Sequence, residues 1–137
     1  MLLSRELYED LGEFEESYFA YYEEIDLCLR ARRAGHTPML EPAAEISHEG
    51  HRGFASGMSR VAAYLKARNL WRFATLRLRR GWLVLFAPGY FMMTLVSAIG
   101  YLLRGESAVV GAMMGGVVAG LRGEKGRPPD ELFEQGV

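Results

Sequence analysis

Along the chain, short amphipathic stretches give way near the middle to long apolar ones. Residues 4–11 have helical spacing, with Ser4 able to cap and Gly12 to stop. Residues 21–35 read as a second helix. Glu23, Glu24 and Asp26 fill its first turn, where the helix dipole favours carboxylates, and Arg30, Arg32 and Arg33 fill its last. Gly35 is the expected left-handed stop. Ile25, Cys28, Leu29 and Arg32 share one face, with Leu27, Ala31 and Ala34 beside them, so the pattern predicts a core there and carboxylates pointing outward. Residues 37–42, held by Pro38 and Pro42, read as an edge strand, and the alternating residues 44–48 as a second strand.

Beyond residue 56 the rhythm changes. Arg60, Lys66, Arg68, Arg72, Arg77, Arg79 and Arg80 follow one another without an acidic residue, interleaved with Val61, Tyr64, Leu65, Trp71 and Phe73. This predicts a basic amphipathic helix, for which nucleic-acid binding, an anionic membrane surface and a solvated helix packed on the domain compete. The next segment decides for the membrane. Residues 81–103 carry no charge over 23 positions, enough to cross about 30 Å of hydrocarbon at about 1.5 Å per residue. Trp82 and Tyr101 add aromatics near the ends, and Pro88 predicts a kink. Residues 107–121 form a shorter apolar run with the small-residue spacings Gly111-x-x-x-Gly115 and Gly116-x-x-x-Gly120, which let helices approach closely. A tight hairpin or re-entrant pair turning at Arg104-Gly105-Glu106 would put Arg77–Arg80 and Arg122, Lys125 and Arg127 on one face, the cytoplasmic one by the positive-inside rule.

Charge sharpens this division. The first 56 residues hold 5 Lys/Arg against 12 Asp/Glu and the rest hold 11 against 5, so a net charge of −1 conceals two unlike halves. With 137 residues, half of them apolar, one core is possible and a second large domain is not. Cys28 is the only cysteine, which rules out an intramolecular disulfide and reads as a buried small hydrophobe. No secretory signal is visible, since Met1-Leu2-Leu3 is followed at once by Ser4, Arg5 and Glu6.

The chemistry concentrates around the second helix. An outward carboxylate in its first turn is compatible with a general base, and Phe14, Tyr18, Phe19, Tyr21 and Tyr22 just before it either fill a core or line a sugar-stacking surface. His48 ends the second extended run, where α/β proteins place reacting groups. His48-x-x-His51 has no second Cys or His pair with which to build a zinc site.

The segment Gly12-Glu13-Phe14-Glu15-Glu16, the run from Glu23 to Arg30, Gly35-His36, Pro42 and His48 resemble, in order and spacing, the C-terminal half of inverting family-2 glycosyltransferases, with rhamnosyltransferase-like members nearest. The resemblance implies an α/β fold, the C-terminal portion of a GT-A (Rossmann-like) domain, followed by a membrane-associated helical hairpin. It implies Glu24 as base, with Glu23 and Asp26 in the same catalytic group; the family most often has Asp at the position of Glu24. His48 would be a ligand to a divalent metal, Mn²⁺ or Mg²⁺. Tyr21 and Tyr22 would shape the acceptor side, and Arg68-Asn69 would contact the phosphate of a lipid-linked acceptor.

The expected reaction moves a sugar from a nucleotide-sugar donor to a lipid-linked or cell-envelope glycan acceptor. The expected location is the cell membrane, with the catalytic part on the cytoplasmic face and no nucleic-acid partner. In that family the nucleotide-binding half and an Asp-x-Asp motif precede this region, and no such pair lies upstream of Glu24, so a complementary N-terminal half chain is an expected partner. Residues 1–56 are assigned to the catalytic domain, 57–80 to the basic helix, 81–121 to membrane-associated helices and 122–137 to a disordered tail. The competing class is a non-catalytic membrane-anchored partner-binding module, or a truncated remnant.

Overall fold

Helix ends are fixed by local chemistry in most of the structure, a computed structural model that describes residues 3–39, 41–45 and 59–133. Helix α1 (Arg5–Asp10) begins where the Ser4 hydroxyl accepts from the Leu7 N–H at 3.2 Å. A 3-10 turn (Glu16–Tyr18) leads to α2 (Glu23–Arg33), which closes with Gly35 at φ +91°. Helix α3 (Arg60–Arg77) is capped by Ser59, whose hydroxyl accepts from Ala62 N–H at 3.1 Å. Helices α4 (Arg80–Leu103) and α5 (Ser107–Arg122) follow, joined through Gly105 at φ +76°.

The expected α/β architecture is overturned: the described residues are helical and contain no strand, hence no Rossmann-like sheet. The described part of residues 37–45 is exposed and closes a turn, with Ala44 N–H donating to Glu41 O at 3.1 Å. Proline fixes φ and removes a donor, so Pro38 and Pro42 suit this turn as well as they suit an edge strand. Most of the second expected strand, with His48, lies outside the described residues.

Helix α3 is the spine, and α5 lies closest along it. A Cβ on Gly116 would stand 2.1 Å from the Tyr64 carbonyl oxygen, and one on Gly120 would stand 3.1 Å from that of Arg68. The two helices therefore meet backbone to backbone, with Tyr64 and Arg68 facing Gly116 and Gly120. The small-residue spacing read in the sequence serves this contact with α3 rather than a simple α4–α5 hairpin.

Helix α4 touches the bundle along one stripe, Tyr90, Thr94 and Ala98, spaced four apart. Tyr90 Oη donates to Ala67 O at 3.0 Å, and Trp71 is surrounded by Phe86, Tyr90 and Phe91 with ring centroids 5.3–6.2 Å away. Ala63, Ala98, Val109 and Met113 complete the three-helix contact. The remainder of α4 is apolar and exposed, including Val84, Leu85, Met92, Leu95, Val96 and Ile99. At 24 residues, about 36 Å at about 1.5 Å per residue, it is long and apolar enough to cross a membrane.

The basic helix packs on the rest of the fold, with Ala62, Ala63, Tyr64, Leu65, Arg68, Asn69 and Ala74 buried. Residues after α5, expected to be a disordered tail, are tied down as far as they are described. Gly126 N–H donates to Ser17 O at 2.9 Å, and Leu132, in a 3-10 turn (Asp130–Leu132), packs on the Tyr64–Leu65 cluster.

Candidate functional site

The first turn of α2 carries the candidate carboxylates, and its orientation follows from what lies beneath it. Asp26 is 0 % exposed. Its Oδ2 accepts from Arg30 Nε at 2.9 Å and Arg77 Nη2 at 2.8 Å, while Oδ1 accepts from Tyr18 Oη at 3.2 Å and from Arg77 Nε. Arg30 reaches further and donates to the carbonyls of Leu11 and Glu13, fixing the approach loop to the same hub. Arg33 Nη2 donates to Arg77 O at 2.7 Å, so α2 is fastened twice to the end of α3.

Burial pushes the Asp26 carboxyl up, but the hydrogen bonds and charges of Arg77 and Arg30 prevail and hold it below its ordinary value. Burial, together with the neighbouring Asp26 carboxylate, pushes the Tyr18 hydroxyl well up, so it stays a donor. The buried face of α2 is thus Asp26, Leu27 and Ala31, not the Ile25, Cys28 and Leu29 face read from apolar periodicity, and Ile25 is exposed. A paired carboxylate can be buried where an unpaired one cannot, and this pairing rotates the helix.

With Asp26 inward, Glu24 is exposed on the first turn. Glu23 is half-buried, and its Oε2 is shielded from solvent with no hydrogen-bond partner. Tyr21 is exposed with Lys66 Nζ 5.2 Å from its ring centroid, while Tyr22 is half-buried against Phe73 at 5.9 Å. Tyr21 and Glu24 thus form the exposed rim at the start of α2, with Tyr22 and Glu23 half-buried between them. Asp26 lies under that rim with its oxygens occupied by protein donors.

Arg68 and Asn69 lie on the other side of the same loop, both buried within α3. Arg68 donates from Nε to Asn69 Oδ1 at 2.9 Å, from Nη1 to Gly126 O at 2.8 Å and from Nη2 to Tyr18 O at 2.8 Å. Asn69 Nδ2 donates to the carbonyls of Tyr18, Ala20 and Tyr21 at 3.0, 2.7 and 3.0 Å. In this structure the pair faces loop carbonyls rather than solvent. Tyr18, Arg30 and Arg77 escaped the sequence reading as members of the site. Arg77 was one cation in a basic run, and only its distance from Asp26 distinguishes it.

Among the described residues no group of three or more His, Cys, Asp or Glu side chains could hold a metal ion. His48 lies outside the described residues.

Against this geometry stand two partial similarities to known proteins. Over 70 residues, 49 % of the chain, it is 34 % identical to the N-acetylglucosaminyl-diphospho-decaprenol L-rhamnosyltransferase of Mycobacterium tuberculosis, covering 22 % of that protein. Over 33 residues, 24 % of the chain, it is 52 % identical to the low-salt glycan biosynthesis hexosyltransferase Agl10 of Haloferax volcanii, covering 11 % of it. Part of this chain is similar to part of glycosyltransferases. The stretches matched are about a fifth of the length of the first relative and a ninth of the second. No family model and no solved structure matches the chain.

Proposed function

We propose that this chain is the acceptor-side, membrane-anchoring part of a glycosyltransferase. It transfers a sugar from a nucleotide-sugar donor to a lipid-linked or cell-envelope glycan acceptor with inversion, and a complementary nucleotide-binding half supplies the donor site. Glu24 is the general base. The observation that carries the reading is the exposed Glu24 carboxylate on a turn whose neighbour, Asp26, is bolted to α3. The partial similarity to sugar transferases supports it.

The chemistry follows from the rim. In an inverting transfer the acceptor hydroxyl attacks the anomeric carbon as the bond to the diphosphate breaks, and a carboxylate takes the hydroxyl proton. An exposed Glu24 can reach that proton, whereas Asp26 is enclosed by Arg30, Arg77 and Tyr18 and serves to orient the turn. Tyr21 offers its ring to a sugar face, and Tyr22 backs it. The apolar flank of α4 anchors the chain at the membrane where a lipid-linked acceptor resides, with the arginines at the α3–α4 junction on the cytoplasmic face. A divalent metal, Mn²⁺ or Mg²⁺, would neutralise the leaving diphosphate. The described residues do not assemble a site for it, and His48 as its ligand rests on the family resemblance alone.

The test is transfer of labelled sugar to a lipid-extract acceptor by membranes containing this chain, with and without the nucleotide-binding half, with Mn²⁺ present. Product requiring both parts, lost in Glu24→Gln with donor binding retained, is the expected result. Undiminished turnover in Glu24→Gln removes Glu24 as base. No product from a folded, membrane-bound chain with both parts present favours a non-catalytic anchoring module.

A further inference from the structure

Residues 18–22 hold the backbone in an unusual state. Phe19 has φ 68° and ψ −56°, Tyr21 has φ 65° and Tyr22 has φ 77°, three residues of positive φ within four positions and none a glycine. Each puts a Cβ close to the following carbonyl, and such conformations persist only where the surroundings over-determine them.

Asn69 supplies the over-determination. The two N–H bonds of its amide are shared among the carbonyls of Tyr18, Ala20 and Tyr21, all within 3.0 Å, so these three carbonyls turn toward α3. It is 0 % exposed, sits on the rigid spine α3, and is itself fixed by Arg68 donating to its Oδ1. The loop runs without a break into α2, because Tyr22 is the N-cap residue and makes no side-chain cap hydrogen bond. Arg77 holds Asp26 on the inner side of α2, and Asn69 holds the loop that enters it, so the place of Glu24 at the junction depends on both.

We propose that Asn69 is a positioning residue for the transfer reaction, holding Phe19, Tyr21 and Tyr22 at positive φ so that the first turn of α2 presents Glu24 to the acceptor hydroxyl. This rests on the reading of Glu24 as base. A displacement of about 1 Å at a reacting group costs roughly a hundredfold in rate, so the loop need not unfold for activity to fall.

The experiment uses membranes containing the full chain and the nucleotide-binding half, with Asn69→Ala and Asn69→Gln, each alone and combined with Phe19→Gly. Phe19 is 50 % exposed, and glycine adopts positive φ freely, so Phe19→Gly lowers the cost of the loop without emptying the core. Asn69→Ala is expected to lower kcat roughly a hundredfold at unchanged donor KM, and adding Phe19→Gly to restore roughly tenfold. Amide hydrogen exchange at residues 19–24 should quicken in Asn69→Ala while the centre of α3 stays protected. Unchanged kcat, or a loss that Phe19→Gly does not relieve and that accompanies faster exchange throughout α3, overturns the proposal. If Asn69→Ala does not fold, Asn69→Gln decides, since it keeps the donors but moves them by a methylene: reduced kcat supports positioning and wild-type kcat overturns it. If the unmutated chain shows no transfer, the Glu24 reading fails, and the clamp stands or falls on exchange at residues 19–24.

Discussion

Arg77, the last residue of α3, grips Asp26 of α2 with two nitrogens, Nη2 lying 2.8 Å from Oδ2, although 51 positions separate them in the chain. Their pairing fixes the helix that carries the candidate base to the helix that leads into α4. Asp26→Asn leaves Arg77 and Arg30 facing a neutral amide in a largely dry site. Losing one partner of a buried pair costs roughly 3–5 kcal/mol, so a lowered urea midpoint for the detergent-solubilised chain is expected. An unchanged midpoint would mean that the pair contributes nothing to stability.

Acid should reveal the same residue. Burial raises the Asp26 carboxyl and the hydrogen bonds from Arg77 and Arg30 more than offset it, so its folded value lies below the unfolded 3.8. A depressed carboxylate contributes stability that is fully present above the unfolded value and disappears as pH falls from there through the folded value. Thermal midpoints followed downward from pH 6 should therefore hold steady and then fall below about pH 4. In Asp26→Asn that acid limb should be shallower.

The α3–α5 contact predicts an ordering among glycines. Gly116→Ala places a methyl 2.1 Å from the Tyr64 carbonyl oxygen, so the two backbones must separate, at an expected cost of about 1–3 kcal/mol or more. Gly120→Ala meets the Arg68 backbone at 3.1 Å and should cost less. Gly115→Ala meets only the Tyr64 ring at 3.6 Å, an ordinary contact, and the better helix propensity of alanine, up to about 1 kcal/mol, should leave it neutral or more stable. Thermal unfolding of the three variants in one detergent checks the order.

Val96, 62 % exposed within the apolar stretch of α4 and about four residues past its middle, tests the anchor. An arginine near the centre of a spanning helix costs about 2.5–3.5 kcal/mol for insertion. Val96→Arg should release a substantial share of the chain from membranes under carbonate extraction, whereas the unmutated chain stays with the pellet. Equal retention of both would show that α4 is not immersed in lipid.

What could be read from the sequence was local. Ser4, Gly35 and Gly105 mark ends and turns because caps and left-handed stops are decided within a few residues, and the span of α4 follows from its lack of charge. The Gly116-x-x-x-Gly120 spacing announced a close helix contact but not which helix would fill it. The rotation of α2 could not be read, because Asp26 looks like a surface acid until Arg77 is brought to it. For the same reason Arg68 and Asn69 read as ligands for an external phosphate, when in the fold they meet the carbonyls of Tyr18, Ala20, Tyr21 and Gly126. The extended runs failed differently. Two prolines and an alternating pattern are as compatible with a turn as with a strand, and a strand needs a neighbour to pair with.

The bond from Gly126 to Ser17, with Arg68 held against the same glycine, has a bearing on biosynthesis. The acidic loop leaves the ribosome more than a hundred residues before its last fastening, so its final shape waits until α5 has docked beside α3. Until then the nascent chain presents Glu24 on an unfinished rim. On the proposed reading of Glu24 as base, a chain halted before residue 126 would lack the last bonds that close the loop leading to it.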